Sequence, residues 1–145
     1  MTDEDGRVLL ARRKYEPDAG LWDTPGGFLD EAEEPLAGLR RELREETGLE
    51  VEPDEFLGAF VDRYGGEDGA IPVLNLVWGA RVVSGEAEPA DDVSELGWFA
   101  PNELPEAGEY AFRWLAPFLR EWATNASQDA VRNKAPKGRN FRPFG

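Results

Sequence analysis

The segment RRELREETG, Arg40–Gly48, sets three glutamates, Glu42, Glu45 and Glu46, among three arginines. A helix turns about 100° per residue, so these three carboxylates project within a narrow arc. Glu42 and Glu46 form a like-charge i,i+4 pair, which costs an isolated helix about 0.2–0.5 kcal/mol. Arg41 offsets part of that cost through its i,i+4 partner Glu45. A divalent cation shared by the carboxylates reverses the sign of the interaction. The chemistry implied is therefore hard-cation binding by oxygen donors, with the remaining positions open to water and phosphate oxygens. The plain alternative is a solvated, charged helix face.

The residue inventory narrows the metal. The chain has no Cys and no His, which excludes thiolate and imidazole ligands, a disulfide framework and a cysteine nucleophile. Oxygen-only sites favour Mg²⁺, Mn²⁺ or Ca²⁺ over zinc. The 145 residues carry a formal charge of -14. Residues 124–145 hold one acid and five bases, leaving 29 acids and 11 bases in residues 1–123. An acidic body argues against non-specific nucleic-acid binding, and an anionic substrate needs a cation to lead it in. No apolar run is long enough for a membrane helix, and the charged start does not read as a signal peptide. A cytoplasmic protein without membrane or specific nucleic-acid partners is the expectation.

The elements that must position the glutamates can be read in outline. Asp5-Gly6 is a turn signal, and RVLLARR after it reads as a strand over residues 7–13. A polar loop leads to LWDTPGGF, where Pro25-Gly26-Gly27 marks a tight turn. The spacing predicts a helix over residues 34–47, with Pro35 in its first turn and Gly48 just past its end. Leu36, Leu39 and Leu43 form its buried stripe, about a quarter-turn from the glutamates. FLGAFVDRY (56–64) and VLNLVWGARVV (73–83) read as strands around GGEDGAIP, and LGWFA (96–100) as a short strand. EYAFRWLAPFLREWA reads as an amphipathic helix to residue 123, with Pro117 in its first turn or kinking it. One domain over residues 1–123 and a basic, poorly ordered tail over 124–145 complete the layout. Strands and helices mixed without regular alternation indicate an α+β sandwich around a mixed sheet.

Gly27, Glu33, Arg41, Glu42, Leu43, Glu45, Glu46, Gly48 and Leu49 match all nine fixed positions of the Nudix box, G-x5-E-x7-R-E-U-x-E-E-x-G-U, over residues 27–49. The chain resembles the Nudix hydrolases over roughly residues 6–123, and VLLARR, LWDTPGG and ELGWFAPNELP resemble that family's flanks. The resemblance implies a loop–helix–loop box on an α/β/α sandwich, and Mg²⁺- or Mn²⁺-dependent hydrolysis of a nucleoside diphosphate linked to another moiety. It implies Glu42 and Glu46 as principal metal ligands, Glu45 as a third, and Gly27 as a backbone contact. Arg41 and Glu33 take orienting positions, Arg41 aiming a catalytic glutamate. The general base is one of this set or a carboxylate outside the box. Asp92 and Glu95, from the segment holding Asp91, are the outside candidates, with Glu67 and Asp68 as rivals.

For the substrate, Arg12, Arg13 and Lys14 could hold phosphate, or form an ordinary charged strand end. Trp22 could stack on a base or simply pack, and Gly26 and Gly27 allow close backbone approach. Tyr64, Phe60 and Trp78 could line a base pocket, although strand aromatics are more often core. The aromatic residues of the last helix read as core. The flanks favour an ADP-ribose- or NADH-like substrate. A (d)NTP-sanitising pyrophosphatase and a non-catalytic nucleotide-binding domain are the alternatives, and the complete glutamate set disfavours the last. MTDED does not supply the family's usual strand before Asp5-Gly6: either the sequence begins too late to include it, or the chain lacks it, which would leave a sheet edge that a second copy could pair with.

Overall fold

The computed structural model describes residues 1–65 and 70–134, with the side chain of Lys134 left aside. Five strands and two α-helices follow in the order β1 (Val8–Arg13), β2 (Trp22–Asp23), α1 (Pro35–Thr47), β3 (Glu50–Tyr64), β4 (Ile71–Ser84), β5 (Val93–Phe99) and α2 (Leu115–Lys134), with one short 3-10 turn at Ala107–Glu109. β1 is the organising strand. It pairs antiparallel with β5 along its whole length and with β2 at Ala11 and Arg12. β3 and β4 form a long antiparallel hairpin.

Successive strand residues point to opposite faces, and in β1 each face meets a different helix. Leu9 packs with Leu43, Leu49 and Val51 on the α1 side. Val8 and Leu10 pack with Trp22, Tyr110, Leu115 and Leu119 on the α2 side. Leu9 and Leu10 are fully buried, each contributing about 1.5–3 kcal/mol of hydrophobic stabilisation. This alternation makes the α/β/α layering expected from the sequence.

Helix α1 begins and ends where Pro35 and Gly48 predict. Pro35 occupies its first turn, where its missing N–H costs nothing. Gly48 closes the helix with φ 71°, a left-handed conformation that glycine adopts freely, and its N–H bonds to the Arg44 carbonyl at 3.0 Å. Of the predicted stripe, Leu43 is buried, while Leu36 and Leu39 are partly covered.

Three expectations are corrected. The strand expected over 56–64 begins at Glu50, because pairing with β4 carries it through Pro53 at a register shift between Pro53 and Glu55. The last helix begins at Leu115 rather than at residue 109, which places Pro117 in its first turn. That helix also runs past residue 123 to Lys134. TNASQDAVRN contains neither Pro nor Gly to stop it, and Thr124 and Ser127 return hydroxyl bonds to the Arg120 and Ala123 carbonyls. Residues 135–145 of the expected tail, and the candidates Glu67 and Asp68, lie outside the described residues.

Ahead of the Asp5-Gly6 turn, Thr2 forms an antiparallel bridge to Val8 and a parallel bridge to Arg81 of β4. The Leu9 N–H donates to the Met1 carbonyl at 3.1 Å. Met1–Asp3 thus joins the two sheet sections at one point and makes the sheet mixed. No described helix is long and apolar enough to cross a membrane.

Candidate active site

The glutamates of α1 separate into two environments. Glu46 is buried with 7% exposure, and Glu42 has a side chain 14% exposed. Glu45 faces outward, with 45% of its side chain exposed. The Pro25-Gly26-Gly27 turn lies against the buried pair. The Gly26 N–H donates to Glu46 Oε2 at 2.9 Å. The Gly27 α-carbon sits so close to Glu42 that an added Cβ would overlap the whole carboxylate.

Arg41 organises the surrounding charge. Its guanidinium donates to both oxygens of Glu33 at 2.8 Å, to Glu42 at 2.8 Å, to Glu45 at 3.1 Å and to the Phe28 carbonyl at 3.1 Å. A planar fork with five N–H groups can serve so many acceptors, and an ammonium cannot. Hydrogen bonding from Arg41 draws Glu33 down to a pKa of about 2. Arg41 thereby ties the loop, through Phe28 and Glu33, to the helix that carries the carboxylates.

Segment 85–92 closes the other side. The N–H groups of Ala90 and Glu88 donate to the last-turn carbonyls of Glu46 and Thr47, each at 3.0 Å, and the Lys14 N–H donates to the Asp92 carbonyl at 2.8 Å. This docking brings the negative charge of Asp92 to bear on Glu46 and that of Asp91 on Glu42. Asp23, from β2, also acts on Glu46. Glu46 is consequently pushed up to about 8, chiefly by burial and then by Glu42, Asp23 and Asp92, with only the Gly26 N–H opposing. Burial likewise raises Asp23 to about 6, against the pull of Arg13, whose guanidinium lies 3.6 Å away.

Among the expected residues, Glu42, Glu46, Gly26, Gly27 and Asp92 come together. Glu45 is linked to them through Arg41. Glu95 lies instead against Arg12 at 3.0 Å. Trp22 is 5% exposed and packs in the α2-side core, which leaves its ring little surface for a base, and the partly exposed Arg12 lies over that ring at 4.5 Å. Arg13 and Tyr64 line a cleft of about 760 Å³ that also takes in Asp23, Gly26, Gly27 and Phe28. Phe60 stacks on Trp114, with ring centroids 4.7 Å apart, and Trp78 packs on Phe56.

Asp23 is the participant that sequence reasoning missed. Its place two residues before Pro25 was the available signal, but a short polar residue before a turn has a sufficient local explanation. Here its side chain bonds the Thr24 N–H at 2.7 Å while adding charge to the cluster.

The cluster suits a hard divalent cation. Its donors are carboxylate oxygens whose mutual repulsion in a buried place is relieved by a positive ion. Among the described residues, no three carboxylates converge closely enough to hold one as they stand. Arg41 engages one oxygen each of Glu42 and Glu45, which leaves their second oxygens to face a cation.

A family model described as the NUDIX domain matches residues 1–122. The chain belongs to the NUDIX hydrolase family. A MutT-like protein of Streptomyces ambofaciens is 36% identical over 114 residues, covering 77% of this chain and 68% of that protein. An ADP-ribose pyrophosphatase of Methanocaldococcus jannaschii is 34% identical over 106 residues, covering 72% of this chain and 60% of that one. The chain therefore spans about two thirds of these relatives' length. Among solved structures, a NUDIX hydrolase from Nitrosomonas europaea superposes with a TM-score of 0.73 at 24% identity, over 88% of this chain and 69% of that one, a likeness of fold. NUDIX hydrolases require divalent metal ions and act on nucleotide-derived small molecules.

Gly27→Ala is expected to lower metal-dependent activity about tenfold or more while changing thermal stability little. The added methyl displaces the end of a flexible side chain, but that end is the Glu42 carboxylate. Circular dichroism melting beside a rate assay separates the two effects.

The raised Glu46 and Asp23 set a pH dependence. Between their ordinary values, 4.5 and 3.8, and their folded values, about 8 and about 6, the native state holds protons that the unfolded chain has released. Metal-free stability therefore falls as pH rises through that window. Calorimetry in EDTA at pH 5.5 and pH 8 should show the lower melting temperature at pH 8, and Glu46→Gln should flatten the difference. A divalent cation should raise the melting temperature more at pH 8 than at pH 5.5.

Proposed function

We propose that this protein is a Mg²⁺- or Mn²⁺-dependent pyrophosphohydrolase. It cleaves a nucleoside diphosphate linked to another moiety, of the ADP-ribose or NADH type, into a nucleoside monophosphate and a phosphorylated product. The observation that carries the reading is Glu46. It is a buried carboxylate pushed up to about 8 by its burial first and by Glu42, Asp23 and Asp92 after it, with the Gly26 N–H as its hydrogen-bond partner. A solvated helix face would not bury such a group.

In this reading Glu42, Glu46 and Glu45 hold the cations, Asp92 supplements them, and the Gly27 backbone allows close approach. Cations held by these residues would supply neutralisation of the charge that develops on the anhydride oxygens. A carboxylate of the cluster takes the proton of the attacking water, and the P–O–P bond breaks to release the monophosphate. Arg41 and Glu33 orient the carboxylates. Arg13 and Tyr64 face the substrate. A cytoplasmic setting and pairing of two copies through the sheet edge complete the proposal.

The likeness to an ADP-ribose pyrophosphatase supports this substrate type, and a CTP pyrophosphohydrolase of Escherichia coli, 32% identical over 103 residues, keeps the nucleoside triphosphate reading as the alternative. The discriminating experiment offers ADP-ribose, NADH, diadenosine polyphosphates and dNTPs with Mg²⁺ or Mn²⁺ and identifies the products. AMP from ADP-ribose supports the reading. A folded protein that hydrolyses none of them refutes it, and pyrophosphate released from dNTPs alone transfers it to the sanitising class.

A further inference from the structure

We infer that Phe28 is a stacking platform for the nucleobase, with Tyr64 as its brace, and that it gives the cleft a preference for purines. The inference rests on the nucleotide-binding reading of the cleft and adds to it the part of the substrate that Phe28 selects.

Single exposed apolar side chains are ordinary on protein surfaces. The surroundings of Phe28 are not those of a stray one. It follows Gly27, whose α-carbon abuts the Glu42 carboxylate, and both residues line the cleft. Its backbone is held there, because the Phe28 carbonyl accepts from the Arg41 guanidinium at 3.1 Å. The residue nevertheless remains 58% exposed. A side chain on so constrained a backbone, at the cleft, presents an aromatic surface that the fold itself does not cover.

The ring is also braced from the side. It meets Tyr64 edge-to-face, with centroids 5.1 Å apart and planes at 82°. The Arg13 guanidinium lies over Tyr64 at 5.6 Å from the ring centre. Arg13 is itself tethered, donating to the Pro17 carbonyl at 2.8 Å and facing Asp23 at 3.6 Å. Residues 13, 28 and 64, from β1, the loop before α1 and the end of β3, thus converge on one rim of the cleft. Such an arrangement fixes an aromatic surface before ligand arrives, which limits the ordering cost of binding.

Stacking reads the area of a base more than its hydrogen-bonding edge. A platform of this kind therefore accepts any base and favours the larger purine ring system. The diphosphate, lying toward Glu42 and Glu46, is bound independently of Phe28.

Equilibrium titration calorimetry with ADP, CDP and inorganic pyrophosphate, in Mg²⁺ at pH 8, tests the inference on the wild type, Phe28→Ala and Phe28→Tyr. In the wild type ADP should bind more tightly than CDP. Phe28→Ala should weaken ADP by roughly 5–100-fold, the range seen when an aromatic partner of a base is removed. It should change pyrophosphate affinity less than twofold and narrow the gap between ADP and CDP, and Phe28→Tyr should restore wild-type behaviour. Unchanged ADP affinity in Phe28→Ala would overturn the platform, as would an equal loss for ADP and pyrophosphate. A wild type that binds CDP as tightly as ADP would overturn the purine preference. Because binding is read without turnover, a protein that hydrolyses nothing can still support the platform, and an active one can still refute it.

Discussion

Glu46→Gln should lower metal-dependent hydrolysis by about 10²–10³-fold, the loss typical when one electrostatic stabiliser is removed from a preorganised site. The same variant should be at least as stable as the wild type when metal-free at pH 8. Glutamine keeps the shape and can accept the Gly26 N–H bond, but it removes a carboxylate held at about 8 by burial and by its neighbours. Activity and stability thus move in opposite directions, as expected where charge is crowded for chemistry. A residue that merely filled space would lose both together. Steady-state rates and EDTA melting curves on one preparation check the pair of outcomes.

Arg41→Lys should reduce kcat by about 10–100-fold, the usual scale for disturbing groups that orient metal ligands. The arginine serves Glu33, Glu42, Glu45 and the Phe28 carbonyl at once, from nitrogens fixed in one plane. A lysine carries the same charge, yet its single nitrogen cannot reproduce that fork. Glu33 should then rise from about 2 toward the ordinary carboxylate range, which carboxylate-selective NMR titration would detect. In EDTA the variant should melt earlier than the wild type, because a single ammonium cannot keep the hydrogen bonds to Glu33, Glu42 and Glu45 together. Added Mg²⁺ should recover more of the melting temperature than it adds to the wild type.

The parts legible in the sequence were those with local causes. Pro35 and Gly48 bound α1 by backbone chemistry alone, and the glutamate spacing follows from the helical turn. The β1 strand showed in VLLARR because an apolar run beside a turn has few alternatives. The parts that escaped depend on distant partners. β2 is two residues long, and only its pairing with Ala11 and Arg12 makes it a strand. The start of β3 at Glu50 contains Pro53 and four acids, which locally read as a turn, and the hairpin partner overrides that.

The same distinction governs the site. Glu42 and Glu46 could be paired from their spacing, but nothing local says that Asp23 joins them from the far end of a loop. Arg12 and Arg13 are indistinguishable in sequence. On a strand they diverge, Arg12 to Trp22 and Glu95, Arg13 to Asp23 and Tyr64. Asp92 and Glu95 were equal candidates until the docking of segment 85–92 on the end of α1 brought the charge of Asp92 to Glu46.

The proposed function turns on the Glu42–Glu46 face of α1 being a divalent-cation site. Titration of Mn²⁺ into the metal-free protein at pH 8, following the free-ion signal by electron paramagnetic resonance, tests it most directly. The wild type should sequester the ion, and Glu42→Gln/Glu46→Gln should leave it free in solution. Equal sequestration by the folded double variant would contradict the assignment and place the cation elsewhere.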